Sequence, residues 1–325
     1  MIGQTPQAAW ACACGCSVFD VGGTSLLPQE GDHGGRVWVE WWHANQNRNW
    51  IGTSKASGDA NLDKKLVSDW YALGFQYMFN REWGIMVKTM VVDRSFTTQT
   101  DPADPGSIAT FRSRDFGDTE ISAMYTGFSK DMSTGVWVGI KLPTGVYTAQ
   151  GLDRDTQIGS GSTDLVLGAF HRGLLTGDNS WQYFAQVRAL IPFLYRSSLN
   201  PDTGNYDVYK PGMQIDGAVG IVYNKAYNVL GFDKVAPVFQ FILSHRNRDR
   251  GEAADPLNTG FDRIMIAPGI EFTKVIDEQK KRVAKLYFDV EIPIYYRVNA
   301  AINDDGSQGQ LIAPIMTKLT MSYNF

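Results

Sequence analysis

The sequence predicts an all-β fold: a transmembrane antiparallel β-barrel of about twelve strands, with both termini on the periplasmic side. Three observations carry this expectation. Stretch after stretch alternates apolar and polar residues with the two-residue period of a strand. The polar phase holds charged residues that a dry interior could not neutralise cheaply. The links between stretches alternate between long and short, as they do around an even-stranded barrel with loops outside the cell and turns in the periplasm.

The expected strands are 36–45, 66–79, 83–95, 116–128, 135–143, 162–172, 180–195, 212–223, 235–246, 263–273, 284–297 and 312–325. On the second, Tyr71, Leu73, Phe75, Tyr77 and Phe79 share one side. On the seventh, Trp181, Tyr183, Ala185, Val187, Ala189 and Ile191 do so, opposite Gln182, Gln186 and Arg188. On the eleventh, Leu286, Phe288, Val290, Ile292 and Ile294 stand opposite Lys285, Asp289 and Glu291. Links after odd strands are long and polar, at 46–65, 96–115, 144–161, 196–211, 247–262 and 298–311; those after even strands are mostly shorter, such as Asn80–Glu82 and Ser129–Thr134. The last strand places Leu319, Met321, Tyr323 and Phe325 on one side and Lys318, Thr320, Ser322 and Asn324 on the other. It is expected to pair with the first, because an open edge in hydrocarbon leaves backbone groups unpaired at several kcal/mol each. The sequence ending in this strand reads as the ring closing there.

Aromatic residues gather at strand ends, as in the girdles of membrane barrels. Tyr77, Phe79, Trp83, Phe128, Trp181, Tyr183, Tyr223, Tyr323 and Phe325 are expected at the periplasmic rim, and Trp70, Tyr71, Phe96, Phe193, Tyr195, Tyr295 and Tyr296 near the outer one. On the wet phase, Lys88, Glu120, Lys141, Asp164, Arg188, Asp216, Arg263, Glu271, Asp289, Glu291 and Lys318 are expected to line the lumen, with Trp38, Trp42, Trp137, Phe184 and Tyr287 narrowing it. Charges of both signs argue against strong ion selectivity, and cross-pairing among them would partly fill a ring this small.

Composition excludes other classes. A net charge of −4 over 325 residues offers no polyanion-binding surface, so no nucleic-acid partner is expected. Hydrophobic residues reach 43%, but no apolar run approaches the roughly 18 residues that a membrane helix requires. Glycine (33) and aromatic residues (12%) suit tight turns and interfacial rings. The three cysteines are Cys12, Cys14 and Cys16. They cannot bridge comfortably within so short a segment, and three sulfurs could hold a soft ion such as Cu(I) or Zn²⁺; otherwise no cofactor is expected. The expected divisions are a signal-peptide remnant at 1–11, a periplasmic cysteine-containing segment or plug at 12–35, and an outer-membrane barrel at 36–325. Lipidation of Cys12 is the alternative for the first boundary.

"GIKLPTG" from Gly139 to Gly145 and "IGSGSTDLVLGAFHRG" from Ile158 to Gly173 resemble the outer-membrane transporter-like proteins of the meta-pathway of phenol degradation. That family shares a Leu-Pro-Thr-Gly strand end, a polar loop and a Gly-x-Gly-x-x-Asp strand start. The resemblance implies a channel for small, often hydrophobic, organic molecules. The terminal Phe325 after alternating hydrophobic residues likewise resembles the signal read by the barrel assembly machinery.

Catalytic arrangements are not apparent. His33 precedes the first strand; His43, His171 and His245 fall in the lipid-facing phase near strand ends, where interfacial hydrogen bonding is the expected role. Asp153, Asp155, Gln157 and Asp164 imitate the spacing of a calcium loop, but Ile158 replaces its glycine, and an ordinary acidic loop is favoured. "RNRDRGE" at 246–252 is expected to pair with neighbouring loops or lipopolysaccharide phosphates. The residues thus imply an outer-membrane, non-enzymatic channel or porin-like transporter, with membrane lipids, lipopolysaccharide and a small solute as partners. The alternatives are a scaffold or sheath for a periplasmic or extracellular redox or metal partner and, less favoured, an outer-membrane hydrolase.

Overall fold

The computed structural model describes residues 34–200, 204–224, 229–279, 281–300 and 309–325. Residues 1–33, with the expected signal remnant, most of the 12–35 segment, His33 and Cys12, Cys14 and Cys16, lie outside the described residues.

Twelve antiparallel strands close into a ring. They are β1 (Gly34–Gln46), β2 (Asp63–Met78), β3 (Trp83–Gln99), β4 in two pieces (Ile108–Phe116 and Thr119–Tyr125), β5 (Thr134–Leu142) and β6 (Ser162–Leu174). They continue with β7 (Trp181–Tyr195), β8 (Gln214–Tyr223), β9 (Lys234–Arg246), β10 (Phe261–Asp277), β11 (Arg282–Val298) and β12 (Met316–Asn324). Each strand pairs with its chain neighbours. β1 also pairs with β12, from Arg36↔Asn324 to Ala44↔Met316, and so removes the last edge.

Both Gly34 and Asn324 stand at one end of the barrel, with the turns at 79–82, 126–133 and 175–180. The links at 47–62, 143–161 and 247–260 gather at the other, with the described parts of the links after β7 and β11. Over that end Gln310–Ile312 pairs with Arg48–Ile51, and Arg48–Ile51 with Ser54–Lys55. Among the described residues the one helical turn is Gly58–Ala60, and no helix is long and apolar enough to cross a membrane.

The pleat sorts the side chains into two environments. Leu73 (52% exposed), Val138 (52%), Val187 (45%) and Met321 (54%) stand on the outside, with Phe239, Phe241 and Leu243 on β9. Between them along the strands, Gln76, Lys88, Ser122, Arg188, Gln240 and Lys318 are buried inside. A wall that is greasy outside and polar inside is the arrangement of a lipid-spanning barrel. Ring pairs Trp83–Tyr125, Tyr125–Phe128, Trp181–Tyr223 and Tyr323–Phe325 girdle the short-turn end.

Inside, aromatic rings lie across glycines on adjacent strands. A β-carbon at Gly74 would collide with Trp38, and one at Gly168 with Trp137. The rings Trp38, Trp42, Trp137, Phe184 and Tyr287 are all buried.

Four expectations are corrected. β4 begins at Ile108, not 116, and is interrupted at Gly117–Asp118; its first piece pairs with β3 alone and rises past the end of β5. Its outward residues there, Thr110, Arg112 and Arg114, carry no apolar phase to reveal it. Trp70 and Phe96 lie in the inward phase and are buried, not at the rim. Tyr296 is also buried, because a bulge in β11 opposite Ile264 and Met265 leaves Ile294 and Tyr295 both outside and turns Tyr296 in. A second bulge, between Pro192 and Leu194 on β7, leaves Phe193, Leu194 and Tyr195 consecutively exposed.

Candidate functional site

The middle of the barrel is a packed ionic layer. Trp42, 1% exposed, lies between the ammonium groups of Lys88 and Lys318, which are 4.7 and 5.3 Å from its ring centroid. Lys88 pairs with Glu40 at 3.3 Å, and Thr320 donates to the other oxygen of that carboxylate. Asp289 sits opposite Lys318 in register and accepts from Tyr287 (2.7 Å) and Gln240 (2.9 Å). Asp216 accepts from Gln214 at 2.9 Å and Ser244 at 2.5 Å. Arg263 stacks on Phe261 at 4.1 Å. Glu291 is fully buried among these groups without a direct hydrogen bond. Nearer the short turns Glu271 pairs with Lys285 at 3.0 Å. With Trp42, Asp216, Arg263, Tyr287, Asp289, Glu291 and Lys318 all at most 2% exposed, the layer is packed closed.

Above it, under the long loops, lies a cavity of about 180 Å³. Lys88, Glu120 and Arg188 form its charged side, the last two as an ion pair, and Lys141 and Asp164 stand at its wall 2.9 Å apart. Trp70, Met90, Ile158, Leu190 and Pro192 supply an apolar side. The sequence-predicted residues therefore divide. Lys88, Glu120, Lys141, Asp164 and Arg188 meet at the cavity, Asp216, Arg263, Asp289, Glu291 and Lys318 belong to the closed layer, and Glu271 lies apart.

The loop at 143–161 folds inward as the roof. Asp118, at the break in β4, accepts from the Gly145 and Ser160 amides (3.1 Å each), from Ser160 Oγ (2.5 Å) and from Lys141 Nζ (2.8 Å). One carboxylate thus ties both ends of the loop to the break in β4, and through Lys141 to β5. Gly145 and Gly159 face each other so closely that a β-carbon on Gly159 would collide with the Gly145 backbone. Gly161 follows at φ +66°, in the left-handed region. Arg94, pointing in from β3, donates to the carbonyls of Thr156 (2.5 Å) and Gln157 (2.9 Å). Asp118→Ala should leave Lys141 paired with Asp164 but release both ends of the roof, at a cost of roughly 1.5–3 kcal/mol, seen as new proteolysis within 143–161.

A second clamp joins the loops. Asp249 accepts from Tyr209 Oη at 2.5 Å, the Gly212 amide at 2.6 Å and Arg246 at 2.8 Å. Part of the "RNRDRGE" cluster thus pairs with a neighbouring loop, and Arg248 donates to Asn299 at 2.5 Å. Asp118, Arg94, Tyr209 and Glu40 were not singled out from sequence. Only the Gly117–Asp118 breaker inside an expected strand offered a signal, since the other contacts join distant segments.

The three described histidines sit on the outer wall. His43 contacts Asp69 at 2.9 Å, His171 lies between Thr134 and Tyr183, and His245 between Asp262 and Asn247. The calcium-like spacing serves the roof instead, with the Gln157 amide donating to the carbonyls of Ala149 and Leu152. Among the described residues no three potential ligands assemble for a metal ion.

In the roof, burial and neighbouring Asp155 push the Asp153 carboxyl up to about 8. A folded value above the unfolded one means that the folded loop binds the extra proton between about pH 4 and 8. Roof stability should therefore be full below that window and decline as pH rises through it. The protection of amides 149–158 against hydrogen exchange, relative to their intrinsic rates at each pH, should fall over that range, and Asp153→Asn should flatten the response.

On the outer face beside the cavity, Leu142, Pro143, Thr144, Gly161, Thr163, Leu194, Tyr195 and Arg196 line a groove. Its wall is shared with the cavity: Ser160 and Asp164 face in where Gly161 and Thr163 face out.

No family model matches the sequence, and no curated protein matches it. Among solved structures, an outer membrane channel from Pseudomonas putida F1 is similar with a TM-score of 0.60 at 13% identity, covering 94% of this chain and 99% of that one. The β domain of the Bordetella autotransporter Brka follows at 0.48 and 9% identity, over 90% of this chain and 100% of that one. The toluene transporter TodX of P. putida gives 0.39 and 8%, over 93% and 91%. Of these three, the first supports the closed-barrel fold and the lower scores add no weight.

Proposed function

We propose that the protein is an outer-membrane channel for small hydrophobic organic molecules, aromatic ones included, with its long loops outside the cell and both strand ends of the closing seam in the periplasm. The observation that carries this reading is the half-apolar cavity set directly above a closed ionic layer. A greasy solute entering under the loops finds Trp70, Met90, Ile158, Leu190 and Pro192 on one side. Going further down would strip water from the charges around Trp42 without replacing their hydration, which is costly. Leaving through the wall between the cavity and the outer groove leads instead to hydrocarbon. The channel for small, often hydrophobic, organic molecules implied by the sequence resemblance agrees with such a solute, and the likeness to the outer membrane channel of P. putida F1 supports the barrel that would carry it.

The lining residues set the field of the cavity and do no covalent chemistry in this reading. Membrane lipid and lipopolysaccharide surround the wall, and the assembly machinery inserts it. Uptake of labelled toluene by cells with an intact lipopolysaccharide barrier tests the proposal. Producing the protein should raise the initial uptake rate several-fold, and Leu190→Asp should remove the gain. An uptake rate unaffected by the protein would refute the reading.

A further inference from the structure

The outer face of the β2–β3–β4 hairpins changes character within one row of residues. Tyr71, Val91 and Phe116 lie side by side across the three strands, and Phe116 is 65% exposed. The next row toward the long loops is Asp69, Asp93 and Arg114; above it come Val67, Ser95 and Arg112, then Lys65, Thr97 and Thr110. Greasy residues give way here to Lys65, Arg112 and Arg114, all exposed. Among the described residues none of these three cations makes an ion pair or side-chain hydrogen bond. Asp69, the nearest acid of β2, is held by Trp41 (2.9 Å) and His43 (2.9 Å), which leaves Asp93 as the one unengaged carboxylate in these rows.

On β11 the outward cation is engaged. Arg297 faces Asp262 at 3.8 Å, beside His245, on the opposite wall. The hairpin patch therefore has excess positive charge immediately above an apolar belt, with the hydroxyls of Ser95, Thr97 and Thr110 between its cations. Neighbouring strands are roughly 4.8 Å apart and alternate residues along a strand roughly 6.7 Å, so the three cationic groups fall within reach of one phosphorylated headgroup. Guanidinium pairs suit phosphate oxygens particularly well.

We propose that Lys65, Arg112 and Arg114 form a binding site for the phosphates of lipid A, the anionic headgroup of the outer leaflet, with its acyl chains laid down over Phe116, Val91 and Tyr71. This rests on the long-loop end facing outward, as proposed above. It does not depend on what the cavity carries.

The test uses the full-length protein purified in detergent, with binding read by native mass spectrometry. Bisphosphorylated lipid A should bind, lipid A stripped of its phosphates should bind at least tenfold more weakly, and millimolar inorganic phosphate should not displace the lipid. The triple variant Lys65→Gln/Arg112→Gln/Arg114→Gln should lose at least tenfold in lipid A affinity, and Arg112→Lys/Arg114→Lys should retain most of it. Unchanged binding by the triple variant would overturn the site, as would equal binding of the phosphate-free lipid. Displacement by inorganic phosphate would mark a free-anion site instead. Preference for phosphatidylglycerol over lipid A would place the patch at the wrong leaflet. Failure in toluene uptake with lipid A binding intact would reject the channel reading alone.

Discussion

Trp42→Ala should convert a barrel without resolvable ion current into one with single-channel steps. Trp42 lies in the packed ionic layer, 4.7 Å from the Lys88 ammonium and 5.3 Å from that of Lys318, and all three are nearly inaccessible. Removing the indole leaves space along the β1–β12 seam and takes away the face on which both ammonium groups rest. Truncation of a buried tryptophan costs about 3–5 kcal/mol, so the variant should also unfold at lower denaturant. Water admitted to the gap would rehydrate Lys88, Glu40 and Lys318, and hydrated charges of both signs conduct without strong selectivity. Planar-bilayer recording of parent and variant checks this. A silent, undiminished variant would mean that the ionic layer closes the barrel without the ring.

Leu73→Arg should be the most damaging change on the outer wall. Leu73 is half exposed, lies midway along β2 between Tyr71 and Tyr77, and makes no polar contact that an arginine could replace. In a water-soluble protein, charging such a site changes stability little. At the middle of a bilayer the same change costs about 2–4 kcal/mol, falling toward zero near the interfaces. Equilibrium unfolding from lipid vesicles should therefore show a large loss for Leu73→Arg and a small one for Asp69→Arg, four residues up the same face. Equal, small losses would remove lipid from the account.

Much of the wall was legible because its determinant is local. The pleat alone puts Leu73 and Ala72 on opposite faces, so a period of two suffices to assign them whatever their partners. That rule breaks where the pleat is interrupted, and there the expectation failed. The bulge in β11 turned Tyr296 inward, and the break at Gly117–Asp118 hid the first half of β4. Trp70 and Phe96 misled differently, since a girdle assignment made from residue type ignored their phase.

The site was legible in fragments. Lys141 and Asp164 belong to the quoted motifs and meet across β5 and β6. Their third partner, Asp118, comes from another strand, and the Arg94 bonds to the roof span more than sixty residues. Nothing in one sequence reports such contacts. The spacing that looked like a calcium loop instead folds the chain over the cavity, with Asp118 and Arg94 as its anchors.

Paired nitroxide labels at Val187 and Arg188 on β7 test the central claim most directly, in protein reconstituted into bilayers and probed for collision with oxygen and with a water-soluble nickel chelate. Lipid on the outside predicts that the label at 187 relaxes strongly with oxygen and hardly at all with nickel, with the oxygen response falling at 188 and the alternation repeating at 185 and 186. Labels at 187 and 185 that neither reagent reaches, in a protein that remains monomeric without detergent, would place those side chains in a dry core and contradict it.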